Sequence, residues 1–187
     1  MENKNTLVVN LIGAPGTGKS TTMAGVFNKL KTQGIDCEMV TEFAKELVWE
    51  ERQQTFKDEL YLFAKQNHRL FRVNGKVDVI VTDRPLILSI LYNHMYGDNS
   101  HVFDKLILQT HEKYNNVNIL LKRVKEYQEN GRNQTESESD HIYKEIKEIL
   151  DFNVVDYFEL NADEEVVDKI TWTINEIITE LEDEKRI

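Results

Sequence analysis

The chain has 187 residues, and its 33 Asp and Glu against 23 Lys and Arg give a formal net charge of −10. A chain of this length is most simply one domain, residues 1–187, with a core large enough to need neither a disulfide nor a structural metal. The acidic balance argues against broad nucleic-acid binding, although it leaves room for a local basic pocket, and the lack of a membrane-length apolar run indicates a soluble cytoplasmic protein.

A glycine-rich turn joins the first predicted strand, residues 6–12, to the first predicted helix, residues 19–32. The turn fits the pattern GxxxxGK[ST] and consists of Gly13, Ala14, Pro15, Gly16, Thr17, Gly18, Lys19 and Ser20. This spacing arranges successive backbone N–H groups around a polyphosphate at the positive end of a helix. We therefore predict that the residues from Gly13 through Thr21 bind ATP, that Lys19 reaches the β- and γ-phosphates, and that Ser20 ligates the bridging Mg²⁺. The alternative is an ordinary glycine turn between a strand and a helix.

The second predicted strand, residues 36–41, ends at a carboxylate. It contains the only cysteine, Cys37, which cannot pair within the chain and is expected to be a small buried residue. Glu42 follows the strand and begins a predicted helix over residues 42–49. Because open α/β sheets bind ligands beyond the carboxyl ends of their strands, Glu42 is a candidate to take a proton from, or to position, an attacking hydroxyl. Alternatively, Glu42 only complements the helix dipole from the first turn.

An Asp-Arg pair follows the third predicted strand, residues 77–82, whose apolar residues indicate burial on both faces. In the helix predicted before it, over residues 56–73, one stripe contains Phe56, Leu60, Phe63, Ala64, Asn67 and Phe71. Asp83 lies where a P-loop protein places the acid that holds Mg²⁺, directly or through water, although it would also serve as a helix N-cap. Arg84 has two interpretations, a planar fork for phosphate oxygens or an ion pair with a neighbouring carboxylate.

The second half of the chain continues the alternation of helices and strands. Helices are predicted over residues 86–95, near 102–107, from Ile142 and from residue 161, and strands over 117–121 and 157–160. Residues 124–140 are polar and lack an apolar period, so we predict a lid over about 123–140. Arg123 and Arg132 are its candidates to bring guanidinium charge onto a transferring phosphoryl group, with a solvated charge run as the alternative. Strands alternating with helices predict an α/β fold, a parallel sheet with helices on both faces.

The histidines and tryptophans indicate no additional site. The five histidines lack the spacing of zinc ligands, which argues against a protein-bound zinc site. Trp49 and Trp172 lie at helical spacing, which favours positions in the core or a pocket wall over a stacking platform for nucleic acid.

With the P-loop, the segment Thr41-Glu42-Phe43-Ala44-Lys45-Glu46, Thr82-Asp83-Arg84 and the arginine-bearing lid, the chain resembles the P-loop small-molecule kinases. It is most similar to the compact ATPase/kinase family that includes the nicotinamide riboside kinase domain of the bacterial NAD-biosynthesis regulator. The Asp83-Arg84 pair also resembles the Asp/Glu-Arg pair of thymidylate and deoxynucleoside kinases. These resemblances imply a P-loop NTPase fold with a five-stranded parallel sheet in the order 2-3-1-4-5.

The sequence departs from that family at Asn130-Gly131, where the riboside kinases are expected to have Asp-Gly before the lid arginine. Small acidic members of the family resemble phage-encoded proteins of nucleotide metabolism, and the composition of this chain is compatible with such an origin. No residues identify a nicotinamide pocket.

Three functions are compatible with these features. The first is an ATP- and Mg²⁺-dependent kinase for a nucleoside, a nucleotide or a related riboside, with Glu42 and Arg84 orienting the acceptor. The second is an NTPase switch or regulatory nucleotide-binding protein with no small-molecule acceptor. The third is a kinase for polynucleotide ends or modified bases in DNA; the net charge of −10 argues against it, and a basic cleft around Arg123 and Arg132 would favour it. The acceptor, the donor base and the oligomeric state stay open.

Overall fold

The computed structural model describes residues 4–128 and 135–184, which fold around one parallel sheet of five strands. The strands are β1 (Leu7–Ile12), β2 (Cys37–Val40), β3 (Val79–Thr82), β4 (Asn115–Lys122) and β5 (Phe158–Asn161). The helices are α1 (Lys19–Thr32), α2 (Ala44–Trp49), α3 (Glu59–Phe71), α4 (Leu88–Tyr96), α5 (His101–His111), α6 (Glu136–Phe152) and α7 (Val166–Glu184), and a short 3₁₀ helix covers Gln53–Lys57. The strand order is β2-β3-β1-β4-β5, which confirms the predicted order 2-3-1-4-5.

Helices cover both faces of the sheet, so its central strands are buried on each side. Successive side chains of a strand point to opposite faces. Val8 of β1 therefore packs among residues of α3, α4 and α6, whereas Val9 packs among residues of α1 and α7. Every residue of β1 and of β3 is buried, as their apolar sequences predict. The α/β architecture with helices on both faces is confirmed.

The buried face of α3 differs from the predicted apolar stripe. Leu60 is 58% exposed and Phe71 is 68% exposed, so the stripe that contains them is wrong. The residues of α3 that are buried are Glu59, Leu62, Phe63, Gln66 and Leu70. The prediction followed the spacing of the large apolar residues, whereas two polar side chains of this helix, Glu59 and Gln66, face inward and form hydrogen bonds there. The helix begins at Glu59, after the short 3₁₀ helix, rather than at residue 56.

Helix α6 begins at Glu136, six residues before the predicted start at Ile142. The Thr135 hydroxyl accepts from the backbone N–H of Glu138, whose side chain accepts from the backbone N–H of Thr135, so the helix starts with a capping box. The last residues of the predicted lid are therefore helical. Residues 129–134, with Arg132 among them, lie outside the described residues, and the lid stays a prediction.

The tryptophans correct one prediction and the cysteine confirms another. Trp49 is 81% exposed and Trp172 is 65% exposed, so neither belongs to the core. Both lie on helices, but on exposed faces, which helical spacing alone does not distinguish from buried ones. Cys37 is fully buried, and burial raises the pKa of its thiol. Within residues 4–128 and 135–184, every helix is too short or too polar to span a bilayer.

Candidate active site

The glycine-rich turn lies between the end of β1 and the start of α1, at the carboxyl edge of the sheet. Gly16 and Gly18 have φ angles of 85° and 88°, a left-handed region where a Cβ atom would be strained. A Cβ on Gly13 would lie 2.8 Å from Thr17 Oγ1 and 3.1 Å from the Leu121 carbonyl oxygen, so this close packing also requires glycine. The turn is a compact loop at the N-terminus of α1, an arrangement suited to phosphate binding.

The loop is held from two sides by side-chain hydrogen bonds. Lys19 folds back so that Nζ donates to the carbonyl oxygens of Gly13, at 2.8 Å, and Ala14, at 3.1 Å. From α6, Ser139 Oγ donates to the carbonyl oxygen of Pro15 at 2.7 Å. Lys19 thus lies against the loop at which a polyphosphate would bind. Helix α6 contacts the same loop through Ser139.

The hydroxyl at the start of α1 and the acid at the end of β3 meet at this edge. Ser20 Oγ donates to Asp83 Oδ2 at 2.7 Å, and the backbone N–H of Glu42 donates to Asp83 Oδ1 at 3.1 Å. Asp83 is only 6% exposed. A hydroxyl and a carboxylate are hard oxygen donors of the kind Mg²⁺ prefers, and Mg²⁺ usually completes its shell with water and substrate phosphates. No cluster of three or more His, Cys, Asp or Glu that could hold a metal occurs in the part of the chain that the structure describes.

A buried ionic cluster lies beside Asp83. Arg84 is 5% exposed, and its Nη2 donates to Glu59 Oε1 at 3.2 Å. Its Nε lies 3.9 Å from Glu42 Oε1, and its guanidinium carbon lies 3.8 Å from the centre of the Tyr92 ring. Arg84 therefore forms ion pairs with neighbouring carboxylates, those of Glu59 and Glu42, as the second interpretation of this residue expects.

Burial shifts the pKa of two acidic groups that contact Arg84. It raises the pKa of the Glu59 carboxyl, although the charge of Arg84 and a hydrogen bond to Ser89 act in the opposite direction. Burial also raises the pKa of Tyr92, again opposed by the charge of Arg84. Tyr92 is therefore neutral at physiological pH and offers the guanidinium the face of its ring.

The segment after β2 is fixed by α3. The backbone N–H of Phe43 donates to Gln66 Oε1 at 3.0 Å, and Arg69 Nη1 donates to the carbonyl oxygen of Thr41 at 3.3 Å. The guanidinium of Arg69 also lies 5.0 Å from the centre of the Phe43 ring. These contacts hold the backbone on either side of Glu42, whose side chain remains 31% exposed.

Arg123, at the start of the predicted lid, is paired with α6. Its Nη1 and Nη2 donate to Glu136 Oε1 and Asp140 Oδ1, each at 2.6 Å, and these hydrogen bonds raise its pKa. Its Nε is buried and forms no hydrogen bond with the described residues. The arginine lines a cleft of about 250 Å³ beside the loop, together with Ala14, Thr17, Lys122, Ser139, Asp140, Tyr143 and Lys144.

The structure thus brings most of the predicted site residues to one edge of the sheet. The loop, Asp83 and Glu42 lie there, and Thr21 is exposed on the first turn of α1. The sequence interpretation did not identify Glu59 or Gln66 as members of the site. Both are polar residues on the buried face of α3. The sequence could indicate their role only if the residues of that buried face were already known.

Comparison with solved structures shows proteins that share this fold. The chain is similar to NadR protein solved in complex with NR, with 17% identity and a TM-score of 0.66 over 89% of this chain and 51% of that chain. It is equally similar to NadR protein in complex with NAD and AMP-PNP, with 16% identity and a TM-score of 0.66 over 89% of this chain and 49% of that chain. This chain therefore spans about half the length of those NadR chains, and the likeness at such identities shows the fold.

No curated protein matches the sequence. Residues 8–166, which comprise most of the chain, match a family described as an AAA domain. The chain belongs to this AAA domain family and has the fold of a P-loop NTPase.

Proposed function

We propose that the protein is an ATP- and Mg²⁺-dependent kinase that transfers the γ-phosphoryl group to a nucleoside, a nucleotide or a related riboside. The observation that carries this proposal is the pairing at Asp83. One oxygen of this acid accepts from the P-loop hydroxyl of Ser20 and the other accepts from the backbone of Glu42. Asp83 thus connects the nucleotide site, through Ser20, to Glu42, the residue proposed to orient the phosphoryl acceptor. The NadR structures, solved with NR and with AMP-PNP, are consistent with a riboside-type acceptor and an ATP-type donor.

On the donor side, the backbone N–H groups of the loop would bind the triphosphate. Lys19 would exchange the carbonyl oxygens of Gly13 and Ala14 for oxygens of the β- and γ-phosphates. Ser20 and Asp83 would hold Mg²⁺, directly or through water, and the bound ion would neutralise phosphate charge. Their present hydrogen bond at 2.7 Å keeps the two oxygen ligands adjacent.

On the acceptor side, Glu42 would orient the attacking hydroxyl and receive its proton. The hydroxyl oxygen forms a bond to the γ-phosphorus while the bond from that phosphorus to the bridging oxygen breaks, so ADP leaves with the electron pair. Positioning and electrostatic stabilisation supply most of the rate in such transfers. The fixed backbone around Glu42 and its partly exposed side chain fit this role.

A lid arginine would add positive charge at the transferring group. Arg123 would first have to exchange its partners Glu136 and Asp140, which hold it on α6. Arg132 lies outside the described residues and remains the second candidate. Either side chain would stabilise the negative charge of the equatorial oxygens in the transition state.

The test is phosphoryl transfer from labelled ATP and Mg²⁺ to nucleosides, nucleoside monophosphates, nicotinamide riboside and a DNA oligonucleotide. We expect transfer to at least one small molecule, abolished in Lys19→Ala and preserved in Lys29→Ala. The control lysine lies on the same helix but pairs with Asp168 on the protein surface. Phosphate release without transfer, sensitive to Lys19→Ala, would instead identify an NTPase switch. Transfer to the oligonucleotide alone would identify a polynucleotide kinase.

A further inference from the structure

We propose that Glu59 is a positioning residue for the phosphoryl transfer: it holds Arg84 so that the guanidinium orients the Glu42 carboxylate toward the acceptor. This assignment rests on the proposed kinase function and adds to it a residue on α3, 17 positions after Glu42 in the chain. Glu59 is 4% exposed, so it acts through Arg84 rather than by touching the acceptor.

Arg84 and Glu59 form a buried ion pair. The side chains of Arg84 and Glu59 are 7% and 3% exposed, and their closest atoms are 3.2 Å apart. Removing two charges from water costs free energy that their mutual attraction only partly restores, so such a pair contributes little net stability compared with apolar packing. The pair nevertheless lies next to Asp83, at the edge of the nucleotide site. Its position there is accounted for by a role in arranging the site.

The guanidinium of Arg84 is held by contacts from two helices. Arg84 is fixed by Glu59 from α3 and by the ring of Tyr92 from α4, at 3.8 Å. These contacts set the plane of the fork and direct its Nε toward Glu42 Oε1, at 3.9 Å. That separation is too long for a hydrogen bond but short enough for electrostatic attraction. The Glu42 carboxylate is therefore oriented and still has lone pairs available for an acceptor hydroxyl.

The two acids that pair with Arg84 differ in exposure. The side chain of Glu42 is 31% exposed and that of Glu59 is 3% exposed, although both pair with Arg84. One carboxylate faces the solvent side, where an acceptor would bind, and the other closes the interior side. Without the interior charge, Arg84 would have Glu42 as its remaining carboxylate partner in the cluster and would draw it inward, away from the acceptor.

The experiment compares wild type, Glu59→Gln and Glu59→Asp in steady-state transfer to the best acceptor of the panel. For Glu59→Gln we expect kcat/KM for the acceptor to fall about tenfold or more, with the Kd for ATP unchanged. Glu59→Asp, which keeps the charge, should recover part of the loss. The matched control is Glu165→Gln, which removes a carboxylate that pairs with Lys169 on the surface, and it should leave both constants unchanged.

A double-mutant cycle separates positioning from a merely structural role. In a Glu42→Gln background, Glu59→Gln should have little further effect on acceptor kcat/KM, because its effect passes through Glu42. Additive losses, or an unchanged kcat/KM in Glu59→Gln, would overturn the assignment while leaving the kinase function intact. If Glu59→Gln fails to fold, Arg84→Lys in the same cycle replaces it, because lysine keeps the charge and loses the fork. Absence of transfer by the wild type to every acceptor would overturn the kinase function and this role together.

Discussion

His111 is a buried histidine that the fold keeps neutral. It lies at the end of α5, is 4% exposed, and burial lowers its pKa from 6.5 to about 4. Because the unfolded chain keeps the ordinary value, it binds more protons than the native chain between these two pKa values. The contribution of His111 to stability is therefore fully present above pH 6.5 and is lost as the pH falls toward 4. At pH 5 the loss amounts to about 2 kcal/mol.

Urea unfolding at pH 7 and pH 5 checks this prediction. We expect the drop in unfolding free energy between the two pH values to be smaller in His111→Gln than in wild type by about 2 kcal/mol. His101→Gln is the control, since His101 lies on the same helix with a side chain 89% exposed, and its drop should equal that of the wild type. An equal drop in all three proteins would contradict the prediction.

Single residues of the site differ in how well the sequence identifies them. Ser20 and Asp83 were singled out because a loop spacing and a strand end are local patterns, and the structure places their oxygens 2.7 Å apart. The sequence did not indicate Glu59, because its partner Arg84 lies 25 positions later and the two charges come together only through tertiary packing. Arg84 was left with two interpretations for the same reason. The chemical roles of all these residues remain predictions.

At the scale of elements, the start of α6 matters because this helix contacts the phosphate-binding loop. Thr135 and Glu138 satisfy two backbone N–H groups at that start, and Ser139 in the next position bonds to Pro15. We expect Thr135→Ala to lower the free energy of unfolding by about 1 kcal/mol, because it removes the cap. Chemical denaturation with far-UV circular dichroism measures the change.

Thr173→Ala is the matched control for the cap. Thr173 lies within α7, where its hydroxyl donates to the carbonyl oxygen of Lys169 at 3.0 Å, one turn earlier. Such a bond does not stabilise a helix interior, and alanine has the higher helix propensity, so this variant should be neutral or slightly more stable. Equal destabilisation by both substitutions would show that the capping box contributes nothing specific.

The same elements show what sequence patterns determine. Helix α1 was predicted within its observed bounds, because the glycine-rich turn precedes it and Gly34 follows with a φ of 83°. The start of α6 was placed too late because its first turn is polar, although Thr135 and Glu138 carry the capping pattern. The predicted stripe of α3 was wrong because the spacing of apolar residues does not reveal which polar residues face inward.

At the scale of the whole molecule, the parallel sheet converts distant sequence positions into one site. Strands β2, β3 and β1 are neighbours, and Val40, Thr82 and Asn10 are aligned near their carboxyl ends. The residues that follow β2 and β3 therefore lie beside the loop that follows β1. Periodicity predicts the strands but not their neighbours, so the order 2-3-1-4-5 came from the resemblance to P-loop kinases. Helix α6 completes the site from the other side of the loop.

Nucleotide binding should therefore stabilise the whole molecule, because the proposed ligand connects α1, β3 and the loop. At a concentration of Mg²⁺ and AMP-PNP about 100 times the Kd, the gain is about 2.7 kcal/mol. For a chain of this length, that gain raises the melting temperature by roughly 5–10 °C. In Asp83→Asn, we expect AMP-PNP alone to stabilise as in wild type, while the additional increment from Mg²⁺ is lost. The reason is that an amide replaces the carboxylate that pairs with Ser20.

Asp168→Asn is the control for this measurement, since Asp168 pairs with Lys29 on the surface, and it should keep the full increment. Differential scanning fluorimetry with and without Mg²⁺, and with and without AMP-PNP, gives the four melting curves needed for each variant. If the Mg²⁺ increment survives in Asp83→Asn, the acid at the end of β3 does not hold the metal. The buried carboxylate would then serve only to join Ser20 to the backbone of Glu42, at 2.7 and 3.1 Å.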